Sequence, residues 1–532
     1  MKNVILPLIA MAALGGGTYY YISLPKQPPI AHNENVRAIY SPALALGEHD
    51  YGSLIAQQDQ FGSAVALRGH LLLVGAQEAD HDYKNIGEAG LAYLIDTRDG
   101  TLLQTFRMPE TVDETAPTER LHDGYVNYSP GFGSAVAMNS KYVLIGAPSA
   151  AQTDGAAYLF DLNTGEFVHR FSNPDMVHAA WFGANIALSE TQALIGVGNT
   201  HPRVGYEQSY LFDLEEPDKM VRIAADRTDI RMADVLSVAL SDQYAVIGRS
   251  HEIAINSYEY GVYTTAVQVF DTCTGRLVQT IEPENWYETQ FGQAIALHDF
   301  HLMIGSPVAL SAEALALRGV NSENHDPRGA AYIYDLRDRT LVSEFRPSDT
   351  ARQESFGTEV ALTTAYAATY QGDRLITFDR DTQDVLLDGN IGMVEEYDPI
   401  GLAVSEGAVA VGVPMDNYQA FQAGAVFVAA LDTKAAPSTN ADTAFDPAYC
   451  RTTFMKHAES ARTAAEITLA AYSAAAAYQT GDISFDDATK LAEAANFNQL
   501  RWNLAIERGE MSDVQRAVQN LNEIQDVLNS LD

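Results

Sequence analysis

Cysteine is almost missing from this chain. Cys273 and Cys450 are the 2 present in 532 residues. That excludes a disulfide-dense scaffold and any zinc or iron–sulfur centre built from several thiolates. One bridge between the two stays open, because spacing alone does not bring two positions within bonding distance. Basic residues are few: 33 Lys and Arg stand against 70 Asp and Glu, a formal charge of −37. A field of that sign repels phosphate backbones and anionic lipid surfaces, which argues against nucleic-acid binding. Signature chemistry is lacking too. There is no Gly-x-Ser-x-Gly elbow and no phosphate-cradling glycine loop with lysine. His251-Glu252 runs on into Ile253-Ala254-Ile255, so no His-Glu-x-x-His helix is present. Among the 13 histidines, His81, His201, His301 and His325 show no ligand spacing. No catalytic residue, metal ligand or cofactor is assigned.

What is present is ample apolar material, 47% of residues, enough for a large core. The chain opens on Met1-Lys2-Asn3 and an uncharged run from Val4 to Leu24. Residues 1–28 read either as a cleaved signal or as a retained transmembrane anchor over residues 4–24. Gly15-Gly16-Gly17 suits the first reading, and the aromatic Tyr19-Tyr20-Tyr21 suits the second. Both place the rest of the chain outside the cytoplasm: periplasmic, on the cell surface or secreted.

A repeat fills residues 34–432. Phe61-Gly62-Ser63-Ala64-Val65-Ala66-Leu67 precedes Leu72-Leu73-Val74-Gly75-Ala76. Phe132-Gly133-Ser134-Ala135-Val136-Ala137-Met138 precedes Val143-Leu144-Ile145-Gly146-Ala147-Pro148. Further copies start at Phe182-Gly183, Phe291-Gly292 and Phe356-Gly357. Two degenerate ones set Asp234-Val235 and Ile400-Gly401 in the Phe-Gly place. A third strand ends in aspartate, as in Ala157-Tyr158-Leu159-Phe160-Asp161, and an alternating fourth follows, as in Leu277-Val278-Gln279-Thr280-Ile281. Four-stranded units repeated seven times predict an all-β seven-bladed β-propeller. The seventh unit has no fourth strand of its own. Val36 to Pro42 fits that pattern without a blade, and is expected to complete the last blade and close the ring.

The Phe-Gly and Gly-Ala-Pro pattern resembles the FG-GAP repeats of integrin α-subunit propellers and of bacterial surface proteins. The resemblance implies calcium in the hairpin between strands one and two, held by an aspartate-rich loop. Here those hairpins read Arg68-Gly69-His70, Asn139-Ser140-Lys141, Ser241-Asp242-Gln243 and Ser405-Glu406-Gly407. None carries the six to eight oxygens that calcium requires. Asp80 with Asp82, and Glu323 with Asp326, read as solvated loop carboxylates. Calcium binding is therefore not expected, which disfavours a cation-dependent integrin-like adhesin.

The two faces of such a ring differ. Connections 1–2 and 3–4 are short and shaped by aspartate and glycine, as in Asp161-Leu162-Asn163-Thr164-Gly165. Connections 2–3 and 4–1 include the long stretches Gln77 to Gly90, Met108 to Gly131, Arg249 to Thr265 and Ser306 to Gly329. They carry Tyr125, Tyr128, Tyr258, Tyr260, Tyr263, Trp286 and Tyr287. Long loops on a rigid scaffold are where binding groups collect. The expected function is a non-enzymatic binding or scaffold protein facing a protein or glycan partner, in reach of the membrane if residues 4–24 are retained. A polysaccharide-active hydrolase or lyase on the same face is the competing reading.

Residues 433–446 read as an Ala-, Pro- and Ser-rich linker, and 447–532 as a small all-α appendage of three helices. In the last of these, Val514, Val518, Leu521, Gln525 and Leu528 share one face.

Overall fold

The computed structural model describes residues 36–42, 59–79, 90–109, 130–150, 155–174, 181–197, 208–224, 233–253, 262–283, 290–307, 329–347, 356–371, 374–390, 401–414, 424–431 and 445–458. They form seven four-stranded antiparallel sheets, each a propeller blade, and one helix near the C-terminus.

Blade 1 comprises β2 (Phe61–Arg68), β3 (Leu71–Ala76), β4 (Leu91–Asp96) and β5 (Leu102–Phe106). Blade 2 has β6 (Val136–Met138), β7 (Tyr142–Ala147), β8 (Ala156–Asp161) and β9 (Phe167–Ser172). Blade 3 has β10 (Phe182–Leu188), β11 (Gln192–Val197), β12 (Gln208–Asp213) and β13 (Met220–Ala224). Blade 4 has β14 (Ala233–Leu240), β15 (Tyr244–Ile253), β16 (Val262–Asp271) and β17 (Leu277–Ile281). Blade 5 has β18 (Ile295–His298), β19 (His301–Ser306), β20 (Ala330–Asp335) and β21 (Thr340–Phe345). Blade 6 has β22 (Val360–Leu362), β23 (Tyr366–Gln371), β24 (Arg374–Asp379) and β25 (Val385–Asn390). Blade 7 joins β26 (Gly401–Val404), β27 (Ala408–Val413) and β28 (Ala425–Ala430) to the N-terminal strand β1 (Val36–Tyr40). β1 pairs with β28 from Val36 opposite Ala429 to Tyr40 opposite Ala425. First and last repeats are thus stitched into one sheet, and the ring has no open end.

The Phe-Gly pair has a mechanical explanation. Phe61, Phe132, Phe182, Phe291 and Phe356 are all buried, each in its own apolar cluster. The residue after each is a glycine with positive φ, from 82° at Gly292 to 96° at Gly62, a conformation that a side chain resists. This glycine opens a bulge, visible where the pairing steps from Phe61–Ala76 directly to Ala64–Gly75. The bulged backbone then lies against the preceding blade. A β-carbon on Gly75 would stand 1.8 Å from the carbonyl oxygen of Gly133, and one on Gly412 would stand 2.2 Å from that of Gly62. The seams at Gly146–Gly183, Gly248–Gly292 and Gly305–Gly357 each show 2.1 Å. Glycine on strand two and Phe-Gly on strand one are therefore two halves of one inter-blade contact.

The two degenerate repeats sit differently from their sequence alignment. Val235 lies opposite Arg249, as Phe61 lies opposite Ala76, so Val235 rather than Asp234 takes the phenylalanine's place. The bulge after it is one residue shorter. Gly401 pairs with Gly412, as Ala64 pairs with Gly75, so it is not the bulge glycine. In each case the strand pairing outweighs the letter match.

The seam between blades 6 and 7 departs most. The pairing of Val360 with Thr369 puts Tyr370 where the six other blades carry glycine. Glu359 leads into β22 beside it, and its backbone carbonyl accepts a hydrogen bond from Thr369 Oγ1 at 2.7 Å. The Glu359 side chain is partly exposed. Protein packed around it still removes enough water to push its carboxyl up to about 8.

Two expectations follow. Gly75→Ala will cost about 3 kcal/mol or more in denaturant unfolding, because a backbone oxygen fills the space. Gly389→Ala, with nothing within 4 Å of its β-carbon, will leave the midpoint unchanged within error. For Glu359 the folded pKa lies above the unfolded value of 4.5, so folding favours the protonated form. Its contribution to stability will be full below about pH 4.5 and will be lost as pH rises towards about 8. Glu359→Gln will flatten that part of the melting-temperature profile, and an unaltered slope would contradict the assignment.

Candidate binding face

Antiparallel order places connections 1–2 and 3–4 at one end of every blade and connections 2–3 and 4–1 at the other. The first end is closed by its own hydrogen bonds. The aspartate that ends strand three caps the following turn in six blades. Asp161 Oδ1 accepts from the amides of Asn163 and Thr164, and Asp379 Oδ1 from those of Asp381 and Thr382. Asp213, Asp271, Asp335 and Asp96 do the same at one or two amides each. At Asp96 the Arg98 side chain and amide hold the carboxyl down to about 2. The aspartates that punctuate the sequence thus shape turns.

The 1–2 hairpins satisfy one another around the ring. Asn139 Nδ2 donates to Ser189 O at 2.7 Å, and the Glu190 amide donates to Asp242 Oδ1 at 3.2 Å. Ser140 Oγ meets Glu190, His298 Nε2 meets Thr364 Oγ1 at 2.7 Å, and Ser405 Oγ donates to Gly69 O at 3.1 Å.

Helix α1, residues 447–458, also docks on this end. Asp446 caps it, accepting from the amides of Ala448 and Tyr449, and Pro447 occupies its first turn. Cys450 forms a disulfide with Cys273 in the blade 4 turn, with a Cα–Cα distance of 4.6 Å. The bridge left open by the sequence is therefore made. Arg451 reaches across to the blade 3 turn, 3.0 Å from the buried Asp213 and 3.0 and 3.2 Å from Glu215 and Glu216. Phe454 and Ala458 are buried among Leu211, Val221, Val235 and Phe270. The helix therefore bridges blades 3 and 4. There Gly196 faces the Val235 side chain instead of a neighbouring glycine backbone. The sequence predicts a helical region packed on itself or on the propeller, but does not assign the seam it covers. The available signal was the Asp446-Pro447 start followed by Cys450, Phe454 and Ala458 along one helical side.

The opposite end carries the long connections. β3 and β4 are separated by residues 77–90, β5 and β6 by 107–135, and β19 and β20 by 307–329. Blade 6 is an exception, since β23 and β24 are joined by residues 372–373 alone. The stretch from Arg249 to Thr265 is corrected from loop to hairpin. β15 and β16 run ten residues each, and they pair as far as Ile253 opposite Val262. Tyr263 is accordingly a strand residue opposite Glu252. Continued alternation of Val, Tyr and Thr carries the ladder past the blade, a pattern the glycine at 261 obscured. Tyr258 and Tyr260 belong to the connection at the end of this hairpin, outside the described residues, as do Tyr125, Tyr128, Trp286 and Tyr287. Among the described residues, the structure brings together Cys273 and Cys450 of the sequence-selected positions.

Among the described residues no group of three or more His, Cys, Asp or Glu could hold a metal ion, and no helix is long and apolar enough to cross a membrane. Residues 4–24 lie outside the described residues.

A family model described as FG-GAP repeat matches residues 55–95, which contain β2, β3 and all but the last residue of β4 in blade 1. With seven blades repeating that construction, the chain is a β-propeller of the FG-GAP type. Comparison with curated proteins gives no match. Among solved structures it is similar to the Cps50 (Swd1) β-propeller domain of Myceliophteria thermophila, at 12% identity and a TM-score of 0.42. That similarity covers 70% of this chain and 97% of the other.

The disulfide closes a loop with a sequence separation of 177. Cys450→Ser will cost about 2–5 kcal/mol of unfolding free energy, as loop closure of that length implies. An unchanged denaturation midpoint would show that the helix is held without it.

Proposed function

We propose that this chain is an extracytoplasmic, non-catalytic binding or scaffold protein that offers its long-connection face to a protein or glycan partner. One observation carries the reading. The described short turns are tied up by their own caps, by bonds between hairpins and, at blades 3 and 4, by helix α1, whereas the other end carries the long connections. Loops held by a rigid ring are suited to that task. The disulfide supports an oxidising compartment, where such bonds persist. Residues 4–24 would then serve as the export signal or as a tie to a membrane complex. Partners would be recognised by aromatic side chains with polar tips, at Tyr258 and Tyr260 above all.

The test is recovery of co-purifying proteins and glycans from solubilised membranes. Tyr258→Ser with Tyr260→Ser will lose the partner, since a tyrosine at an interface centre contributes about 2 kcal/mol. Asn163→Ser with Glu166→Ser, in a short turn, will retain it. Circular dichroism should show both variants folded. Loss in the turn pair with retention in the tyrosine pair would mean that the other face binds.

A further inference from the structure

The outer strands hold an unexplained feature. In blades 1, 2, 4, 5 and 6 the pairing of strand four with strand three slips by one residue near its start. Such a bulge breaks the alternation of faces, and here it turns consecutive apolar side chains towards water. Leu102 with Leu103, Phe167 with Val168, and Val385 with Leu386 are exposed in this way. In blade 4 Leu277 is 40% exposed, and in blade 5 Leu341 and Val342 are 42% and 52% exposed. Blade 3 has no slip, and the second residue of its outer strand, Val221, is only 6% exposed within the cluster around Phe454.

Helix α1 therefore already covers one stretch of this rim. Its path leads on to the next. Cys450 is fixed to Cys273, and His457 lies within electrostatic reach of Asp271 and Arg276, the residues that lead into Leu277. The chain thus passes the turn before Leu277 at His457, with Ala458 buried in the cluster shared by blades 3 and 4 and residues 459–532 still to follow. The spacing of Val514, Val518, Leu521, Gln525 and Leu528 in that segment predicts a helix with a largely apolar face. A second copy is a poorer occupant, because each chain carries −37 and like charges oppose association.

We propose that residues 459–532 dock along the outer rim of blades 4 and 5, covering Leu277 and then Leu341 and Val342. The contact continues the interface that α1 begins at blades 3 and 4. It is independent of what the long-connection face binds.

A photo-crosslinking residue in place of Val342 in the full chain tests this. Irradiation should join that position to residues 459–532 of the same chain, read by peptide mass spectrometry on the monomer band. A link between two chains, or no link to 459–532, overturns the proposal. A second measurement keeps folding separate. Leu341→Glu with Val342→Glu, both exposed, should leave ring melting unchanged while protease cuts within 459–532 roughly tenfold faster, as the release of a bound segment worth about 1.4 kcal/mol implies. Leu102→Glu with Leu103→Glu in blade 1 should not change the cutting rate. Equal cutting in all three proteins overturns the proposal.

Discussion

Everything in this ring depends on backbone meeting backbone at the seams between blades. The carbonyl of a Phe-Gly glycine occupies the space that a side chain on the neighbouring strand-two glycine would need, at five seams including the closing one between Gly412 and Gly62. No side chain fits at these five seams, so glycine becomes obligatory on both strands that meet there. With the backbones so close, the phenylalanine beside each contact is driven into the apolar layer, where clusters such as that of Phe132 join one blade to the next. The pattern in the sequence is the imprint of this contact.

Where the contact is absent, other devices take over. Between blades 3 and 4, Val235 replaces phenylalanine and meets Gly196 through its side chain. A helix from the far end of the chain is bolted across that seam by a disulfide, three ion pairs and Phe454. Between blades 6 and 7, the buried Tyr370 stands in the glycine's place, and beside it the partly exposed Glu359 has its carboxyl pushed up by desolvation. The ring is therefore not uniform in its joints. Its two irregular seams carry the chemistry that responds to conditions: one to reduction, the other to pH.

Blade number, strand order and closure by Val36–Tyr40 were legible in the sequence, because glycine spacing and apolar alternation report backbone geometry directly. The outer-strand bulges were not. Leu102-Leu103 and Leu341-Val342 read as alternating strands, and only pairing with the neighbouring strand reveals the slip. The extension of the β15–β16 hairpin was hidden for the same reason, since Tyr263 looked like a loop tyrosine until Glu252 was found opposite it. Cys273 and Cys450 lie 177 residues apart, and no local pattern foretold their meeting. The aromatic positions of the binding face were chosen from loop length and composition. These say where binding groups gather, and leave the geometry that would define a ligand unspecified.

The division of labour between the faces is the central claim, and hydrogen exchange on the full chain with and without its isolated partner tests it most directly. The account predicts slowed exchange in residues 77–90, 107–135 and 307–329. It predicts no change in the turns after Asp96, Asp161 and Asp335. Protection confined to those turns, with the long connections unaffected, would contradict it.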